Sequence, residues 1–466
     1  METSGADCPW KTLEGILTEI FYFRMHIFFG QSAPITGAFF ARTRNAEGVS
    51  SLLIRAEPSG GIMRWVLAHR VRPNAQAPSK FGGEKYMITI YGKYTNAIVY
   101  TTNNEEYAID EYARKQLQMI CDHPSAAGSK IRVMPDVHPG KVGTIGLTMT
   151  VGDSLLPSLV GVDMGCGMTL AQVKAKNVEY QKLDTVIREQ VPVGGNVRKK
   201  IHKFSGEIDL RELVCYKAID SAKAEKSIGT LGGGNHFIEV DKDEEGNFYI
   251  VVHSGSRHLG MEVTEYYLKA GQKEQQMKKQ GGHAAYEMTC LSGQLLQDYL
   301  HDLALVQKFA ALNRAAMIDE ITRGMKWKVL DTYDCIHNYV DFSDSIPMLR
   351  KGAIRAAKGE RVIIPINMRD GIILGTGLGN EEWNHSAPHG SGRIYKRSEV
   401  KEHHTVAEFK EAMKGIHSIC VNKGTLDESP FAYRRIEDIA EVIGDTVRID
   451  KIIKPVYNFK AGGNAG

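Results

Sequence analysis

From about residue 87 onward, apolar positions at helical spacing alternate with short apolar runs bounded by turn residues. Ala108, Ile109, Tyr112, Ala113, Leu117 and Ile120 recur at helical spacing and stop at Asp122-His123-Pro124, predicting an amphipathic helix that ends before the proline. The runs at residues 145–151, 248–252 and 362–366 have strand length and are bounded by glycine, proline or polar turn residues. Leu295, Leu296, Tyr299, Leu300, Leu303, Phe309, Leu312, Met317 and Ile321 predict a long helix from about residue 292 to 325. The order is mixed rather than a clean βαβ alternation, so the expected class is α/β (mixed α+β) in one large domain. Residues 271–282, rich in Lys and Gln, read as a solvated helix face, with a mobile loop as the alternative.

The first 86 residues have a different texture. Phe21, Tyr22, Phe23, Phe28, Phe29, Phe39 and Phe40 cluster without strand or helix periodicity. The expected division is therefore an N-terminal extension over residues 1–86 and one large domain over residues 87–466. Gly83-Glu84 is encoded by GGN-GAR, which can spell a ribosome-binding sequence ahead of Met87. Residues 1–86 are thus a candidate upstream-start segment.

With 42% hydrophobic and 24% charged residues over 466 positions, the chain has ample material for a sizeable core, which argues against disorder. A formal charge of +3 neither demands nor excludes nucleic acid. Seven widely spaced cysteines, odd in number and without a CxxC pair, argue against a disulfide framework or a zinc ribbon and favour a reducing cytoplasm. The most apolar stretch, residues 16–29, is interrupted by Glu19, Arg24 and His26 and is too short for a bilayer. Glu2 and Asp7 oppose a secretory signal, so the expectation is a cytoplasmic protein without membrane attachment.

Five segments place metal ligands or nucleophiles beside glycines, mostly after apolar runs, where strand ends give rigidity and glycine permits close approach. In Gly161-Val162-Asp163-Met164-Gly165-Cys166-Gly167 a carboxylate and a thiol lie three residues apart; a tight turn with a buried structural cysteine is the competing reading. Leu231-Gly232-Gly233-Gly234-Asn235-His236-Phe237-Ile238-Glu239 delivers Asn and His to the start of a strand, and no GK[ST] follows to make a Walker site. Val251-Val252-His253-Ser254-Gly255-Ser256-Arg257 ends a strand in a histidine, with hydroxyls and an arginine suited to phosphate. His337, in Tyr333-Asp334-Cys335-Ile336-His337-Asn338-Tyr339, reads by itself as an ordinary structural histidine. Pro388-His389-Gly390-Ser391-Gly392-Arg393 sets a histidine in a loop whose N–H groups could surround an anion. One Asp, one Cys and three His make a mixed hard and soft ligand set, enough for two divalent cations sharing the thiolate. His389 is left over as a nucleophile.

These segments, with Met134-Pro135-Asp136-Val137-His138-Pro139-Gly140-Lys141, resemble the RtcB-type RNA ligases in order and approximate spacing. The resemblance covers about residue 87 to the C-terminus. It implies one Mn²⁺ on Asp163, Cys166 and His236, a second on Cys166, His253 and His337, and guanylylation of His389 by GTP. By the same resemblance Asn235 would contact the GTP phosphates, Glu239 the guanine, and Lys460 and Tyr433 the nucleotide. Asn367, Gly390, Ser391 and Gly392 would complete that pocket, while Arg257 and Arg393 would meet RNA phosphate. The implied substrates are RNA 3′-phosphate or 2′,3′-cyclic phosphate ends and 5′-hydroxyl ends, in RNA repair or tRNA splicing, with a monomer as the default. Relatives carry Pro-Gly-Ser-Met-Gly where this chain has Pro365-Ile366-Asn367-Met368-Arg369, and His258 replaces a usual glycine. That changed loop supports a rival reading, a paralogue acting as a phosphodiesterase on cyclic-phosphate ends. A non-catalytic RNA-binding scaffold is the other alternative, and it would predict loss of one of the six site residues.

Overall fold

A computed structural model describes residues 38–45, 48–59, 62–71, 86–101, 109–277 and 285–461. The chain divides into two units, Met1–Lys80 and Phe81–Gly466. In the first, β1 (Ala38–Asn45), β2 (Gly48–Ser59) and β3 (Ile62–Val71) pair antiparallel in the order β1-β2-β3. Phe39 and Phe40 fall in β1, while the aromatic group at residues 21–29 lies outside the described residues.

The second unit opens with the hairpin β4 (Tyr86–Tyr91) and β5 (Asn96–Thr101), then helix α1 (Glu111–Cys121) and the hairpin β6 (Ile131–Pro139) and β7 (Thr144–Thr150). β8 (Ser154–Leu155) and the short α2 (Pro157–Val160) lead into β9 (Gly167–Lys174). Helices α3 (Tyr180–Gln190) and α4 (Ser221–Ser227) precede the hairpin β10 (Phe237–Lys242) and β11 (Phe248–Ser254). Next come α5 (Arg257–Met277), β12 (Leu291–Ser292) and the long α6 (Gly293–Met325). Four strands follow: β13 (Lys328–Ile336), β14 (Asn338–Asp341), β15 (Met348–Lys351) and β16 (Ala353–Arg355). The last part holds β17 (Arg361–Asn367), β18 (Gly371–Gly377), β19 (Ser386–Pro388), α7 (Val400–His403), α8 (Val406–Ala412), α9 (Ile436–Ile443) and β20 (Val447–Lys460).

Two sheets dominate: a seven-stranded one in the order β13-β9-β11-β10-β20-β18-β17 and a six-stranded one in the order β14-β15-β7-β6-β5-β4. This is the mixed α/β class the apolar pattern predicts. The helix expected to end at residue 120 is α1, begun by Asp110, whose side chain accepts from the N–H groups of Tyr112 and Ala113. The three expected strands are β7, β11 and β17, and the expected long helix is α6. Residues 271–277 of the Lys/Gln-rich stretch continue α5, and residues 278–282 lie outside the described residues.

α6 is apolar along two successive faces because it serves two cores. Leu296, Tyr299, Leu303, Val306 and Phe309 pack with α1, α5 and the six-stranded sheet. Met317, Ile318, Ile321 and Met325 pack beneath β9, β10, β11 and α3. Arg314, between these two groups, is fully buried and pins the site loops from below: Nη1 donates to the carbonyls of Gly165 (2.7 Å) and Ser254 (2.8 Å), and Nη2 to Asp334 (2.6 Å). A buried guanidinium needs such a full set of acceptors to offset its lost hydration.

Candidate metal and nucleotide centre

Strand register brings four candidate ligands to one end of the seven-stranded sheet. Gly167, the first residue of β9, pairs with Ser254 near the end of β11 and with Ile336 at the end of β13, and Phe237 at the start of β10 pairs with His253. Cys166, His236, His253 and His337 therefore sit at or one residue beyond these ends. The His337 N–H donates to the Cys166 carbonyl at 2.9 Å, fixing the two loops together.

The side chains converge as the register requires. Cys166 Sγ lies 3.4 Å from His236 Nε2 and 3.4 Å from His253 Nε2. His236 Nε2 is 3.0 Å from Asp163 Oδ2, and His253 Nε2 is 3.3 Å from His337 Nε2. The far nitrogens of two rings face carbonyls, His236 Nδ1 that of Leu231 at 2.9 Å and His253 Nδ1 that of Asn235 at 3.3 Å. A carbonyl only accepts, so Nδ1 carries the hydrogen and Nε2 presents a lone pair to the cluster. Lone pairs and a thiol gathered without compensating donors suit a cation. The Cys166, His236 and His253 ligand atoms all lie within 4.8 Å of one another, and all three residues are buried. Burial, reinforced by neighbouring imidazoles, holds His253 and His337 well below the ordinary histidine value, so both are neutral ligands. Burial and the nearby Asp163 carboxylate push the Cys166 thiol well up, a state a bound divalent cation reverses. Gly255 leaves the room that Asp163 occupies; a Cβ there would run into the carboxylate.

His389 follows β19 and approaches from the opposite wall, its ring centroid 4.7 Å from that of His337. Its Nδ1 is 2.7 Å from Asp136 Oδ2, and its backbone N–H donates to the same oxygen at 3.2 Å. Gly392, at φ +78°, is needed because a Cβ there would meet the Asp136 backbone at 2.8 Å. An open cleft lies between these groups and the Pro365–Asn367 strand end.

The nucleotide candidates all line this cleft, and several are already engaged by other residues of the chain. Asn235, Glu239, Gly390, Ser391 and Gly392 line it. Ser391 Oγ donates to the Ile366 carbonyl at 2.8 Å. Asn367 borders the cleft, but its Oδ1 accepts from the N–H groups of Arg369 (3.0 Å) and Asp370 (2.9 Å), and its Nδ2 donates to Asp370. Tyr433, Lys460 and Arg393 all meet Glu428: the Tyr433 hydroxyl at 2.6 Å, Lys460 Nζ at 3.0 Å and Arg393 Nη1 at 3.3 Å. Arg393 also donates to the carbonyls of Asp427 and Tyr395, so its guanidinium is largely committed within the protein. Arg257 begins α5 at φ +60° and lies against Gly232, where no side chain would fit. It donates to Thr230 Oγ1 at 3.2 Å and the Gly194 carbonyl at 2.7 Å.

Sequence reasoning passed over several residues that the fold brings here. Asp136 stood in a noted segment, but its partner lies 253 residues away and nothing local signals it. His138 lines the cleft, donates Nδ1–H to the Asp136 carbonyl at 2.9 Å, and is held down to about 4 by burial, so it is neutral. Glu428, which gathers three cations, and Asn458, which donates to Glu239, carry no sequence signal of their own.

The chain matches the sequence model of the family described as tRNA-splicing ligase RtcB over residues 116–220 and 206–461. It is 32% identical over 391 residues to the RNA-splicing ligase RtcB of Escherichia coli K12, covering 76% of this chain and 95% of that protein. It is 27% identical over 410 residues to RNA-splicing ligase RtcB2 of Escherichia coli ATCC 25922, covering 80% and 100%. The tRNA-splicing ligase RtcB of Aeropyrum pernix is 27% identical over 403 residues, covering 66% and 83%. No helix among the described residues is long and apolar enough to cross a membrane. With a family match spanning most of the chain and the ligand cluster placed where that match runs, the protein belongs to the RtcB ligase family.

Proposed function

We propose that this chain joins RNA 3′-phosphate or 2′,3′-cyclic phosphate ends to 5′-hydroxyl ends, using GTP and two Mn²⁺ ions through a guanylylated His389. The observation that carries this reading is the pairing of His389 Nδ1 with Asp136 at 2.7 Å beside a metal-ligand cluster. Asp136 takes the Nδ1 hydrogen, so His389 Nε2 keeps the lone pair that a nucleophile needs.

In the first step Nε2 attacks the α-phosphorus of GTP, the P–O bond to the leaving group breaks, and pyrophosphate departs. Asp136 stabilises the positive charge that the ring acquires. An oxygen of the RNA 3′-phosphate then attacks that phosphorus, the P–N bond breaks, and His389 is released. The 5′-hydroxyl of the second RNA end attacks the activated 3′-phosphorus, loses its proton and expels GMP. A cyclic end is first opened by water. Asp163, Cys166 and His236 would hold one cation and Cys166, His253 and His337 the other, supplying charge neutralisation for the phosphoryl oxygens. Asn235 and the Gly390-Ser391-Gly392 loop would meet phosphate and Glu239 the base, a reading supported by their lining the same cleft as His389. Use of Lys460, Tyr433 or Arg393 by a nucleotide requires sharing or releasing Glu428.

The test is incubation with α-labelled GTP and Mn²⁺, beside His389→Ala, followed by a denaturing gel. Label on the wild type alone supports the reading. No label on either protein, with metals bound, would move the assignment to a phosphodiesterase on cyclic ends, which the tied-off Asn367 loop favours.

A further inference from the structure

Asp241 stands out among the described carboxylates, because both of its oxygens are buried and neither receives an N–H or hydroxyl hydrogen. It is 0% exposed, in the middle of the seven-stranded sheet. Alternation along β10 puts Phe237, Glu239 and Asp241 on one face, and the first two line the cleft. The side-chain partner Asp241 has there is the Glu239 carboxyl. Two carboxyl groups hydrogen-bond only if one of them is protonated, and a buried carboxylate with no donor is among the most unfavourable groups a core can hold.

The surroundings decide which acid keeps the proton. Burial pushes both carboxyls up, Glu239 to about 7, but Glu239 Oε2 accepts from Asn458 Nδ2 on the neighbouring β20 and the Lys460 ammonium two residues further on draws the same carboxyl back down, whereas Glu239 drives Asp241 higher still. On the Asp241 side, Tyr249 of β11 gives its hydroxyl to Asp243 at 2.7 Å, and Lys451 of β20 also donates to Asp243 at 3.0 Å. Asp241 is thus left without a cation or a donor.

We infer that Asp241 is a protonated positioning acid that donates its hydrogen to Glu239, holding Glu239 in the cleft as an oriented, acceptor-only carboxylate. On the reading given under Proposed function, such a group selects a base edge made of two adjacent donors, as guanine presents at N1–H and the 2-amino group. It disfavours adenine, whose corresponding edge offers an unprotonated N1. Asp241 never touches the nucleotide; it sets what Glu239 can accept.

The experiment measures binding of GTP, ITP and ATP to the full Mn²⁺-loaded chain by calorimetry, for the wild type, Asp241→Asn and Asp241→Ala. The Asn variant keeps a donor toward Glu239, so its GTP affinity should stay within about threefold of wild type. The Ala variant should lose about tenfold on GTP and correspondingly less on ITP and ATP, narrowing the discrimination. An equal loss on all three nucleotides would mark Asp241 as merely structural and overturn the assignment. Infrared difference spectra of wild type against Asp241→Asn at neutral pH should show the carbonyl band of a protonated carboxylic acid in the wild type only. Its absence would overturn the inference whatever the nucleotide data. A band present without GTP binding would instead overturn the ligase reading, and with it the guanine selection, while leaving the shared proton in place.

Discussion

His389 is fastened to Asp136 twice, by its ring Nδ1 at 2.7 Å and by its own backbone N–H at 3.2 Å, both on the same carboxylate oxygen. One atom thereby fixes both the position of the chain at residue 389 and the tautomer of its ring. Asp136→Asn keeps the shape but offers an amide in place of a pure acceptor. Transfer of label from α-labelled GTP to His389 should fall by about 10²–10⁴-fold, with metal content unchanged. Rapid-quench labelling alongside metal analysis checks both, and normal labelling in this variant would remove Asp136 from the mechanism.

Cys166 lies between the two halves of the ligand cluster, 3.4 Å from His236 on one side and 3.4 Å from His253 on the other. Cys166→Ala should therefore lose both metals, whereas His389→Ala should keep both and lose only nucleotide transfer. Elemental analysis of the purified variants decides it. A metal-free His389→Ala protein would refute the division of roles.

A site of one carboxylate, one thiolate and three imidazoles follows the Irving–Williams order, in which Mn²⁺ binds more weakly than Zn²⁺. Zinc should displace manganese at equal concentration and inhibit joining. A competition titration read by bound metal and by ligation tests this, and full ligation with zinc as the sole metal would count against the assignment.

Burial alone would raise the Glu428 carboxyl, but Lys460, Arg397 and Arg393 outweigh it and hold it down to about 2. A carboxyl depressed in the folded state contributes stability that is present above its ordinary value and lost as pH falls through about 2. Glu428→Gln should destabilise by about 3 kcal/mol at neutral pH, because three buried or half-buried cations lose their counter-charge. The difference from wild type should shrink on acidification. Denaturant unfolding across that pH range measures it, and a pH-independent difference would contradict the ion-pair account.

The sequence made some of this legible and hid the rest for physical reasons. α6 was readable because apolar residues recur at helical spacing along its whole length, and β7, β11 and β17 because their apolar runs end in turn residues. The convergence of His236, His253 and Cys166 was foreshadowed because each lies within two residues of a glycine at a strand end. His337 carried no local mark, and only the register of β13 on β9 delivers it. Pairings such as Asp136 with His389, or Glu428 with Arg393, Arg397 and Lys460, depend on tertiary closure that no local period encodes. β1, β2 and β3 were not anticipated, since the aromatic clustering of that region obscured any period of two.

β20 lies between β10 and β18, so the seven-stranded sheet consists of two groups of strands until residues 447–460 are in place. β9, β10, β11 and β13, which carry the metal ligands, are already mutual neighbours without it. The order of assembly follows from this: a metal pocket can mature on a half-built sheet, whereas the wall bearing Asn458 and Lys460 arrives only with the strand that closes the sheet. On the roles proposed above, a chain emerging from synthesis brings its candidate cation ligands together before the wall that would meet a base is built.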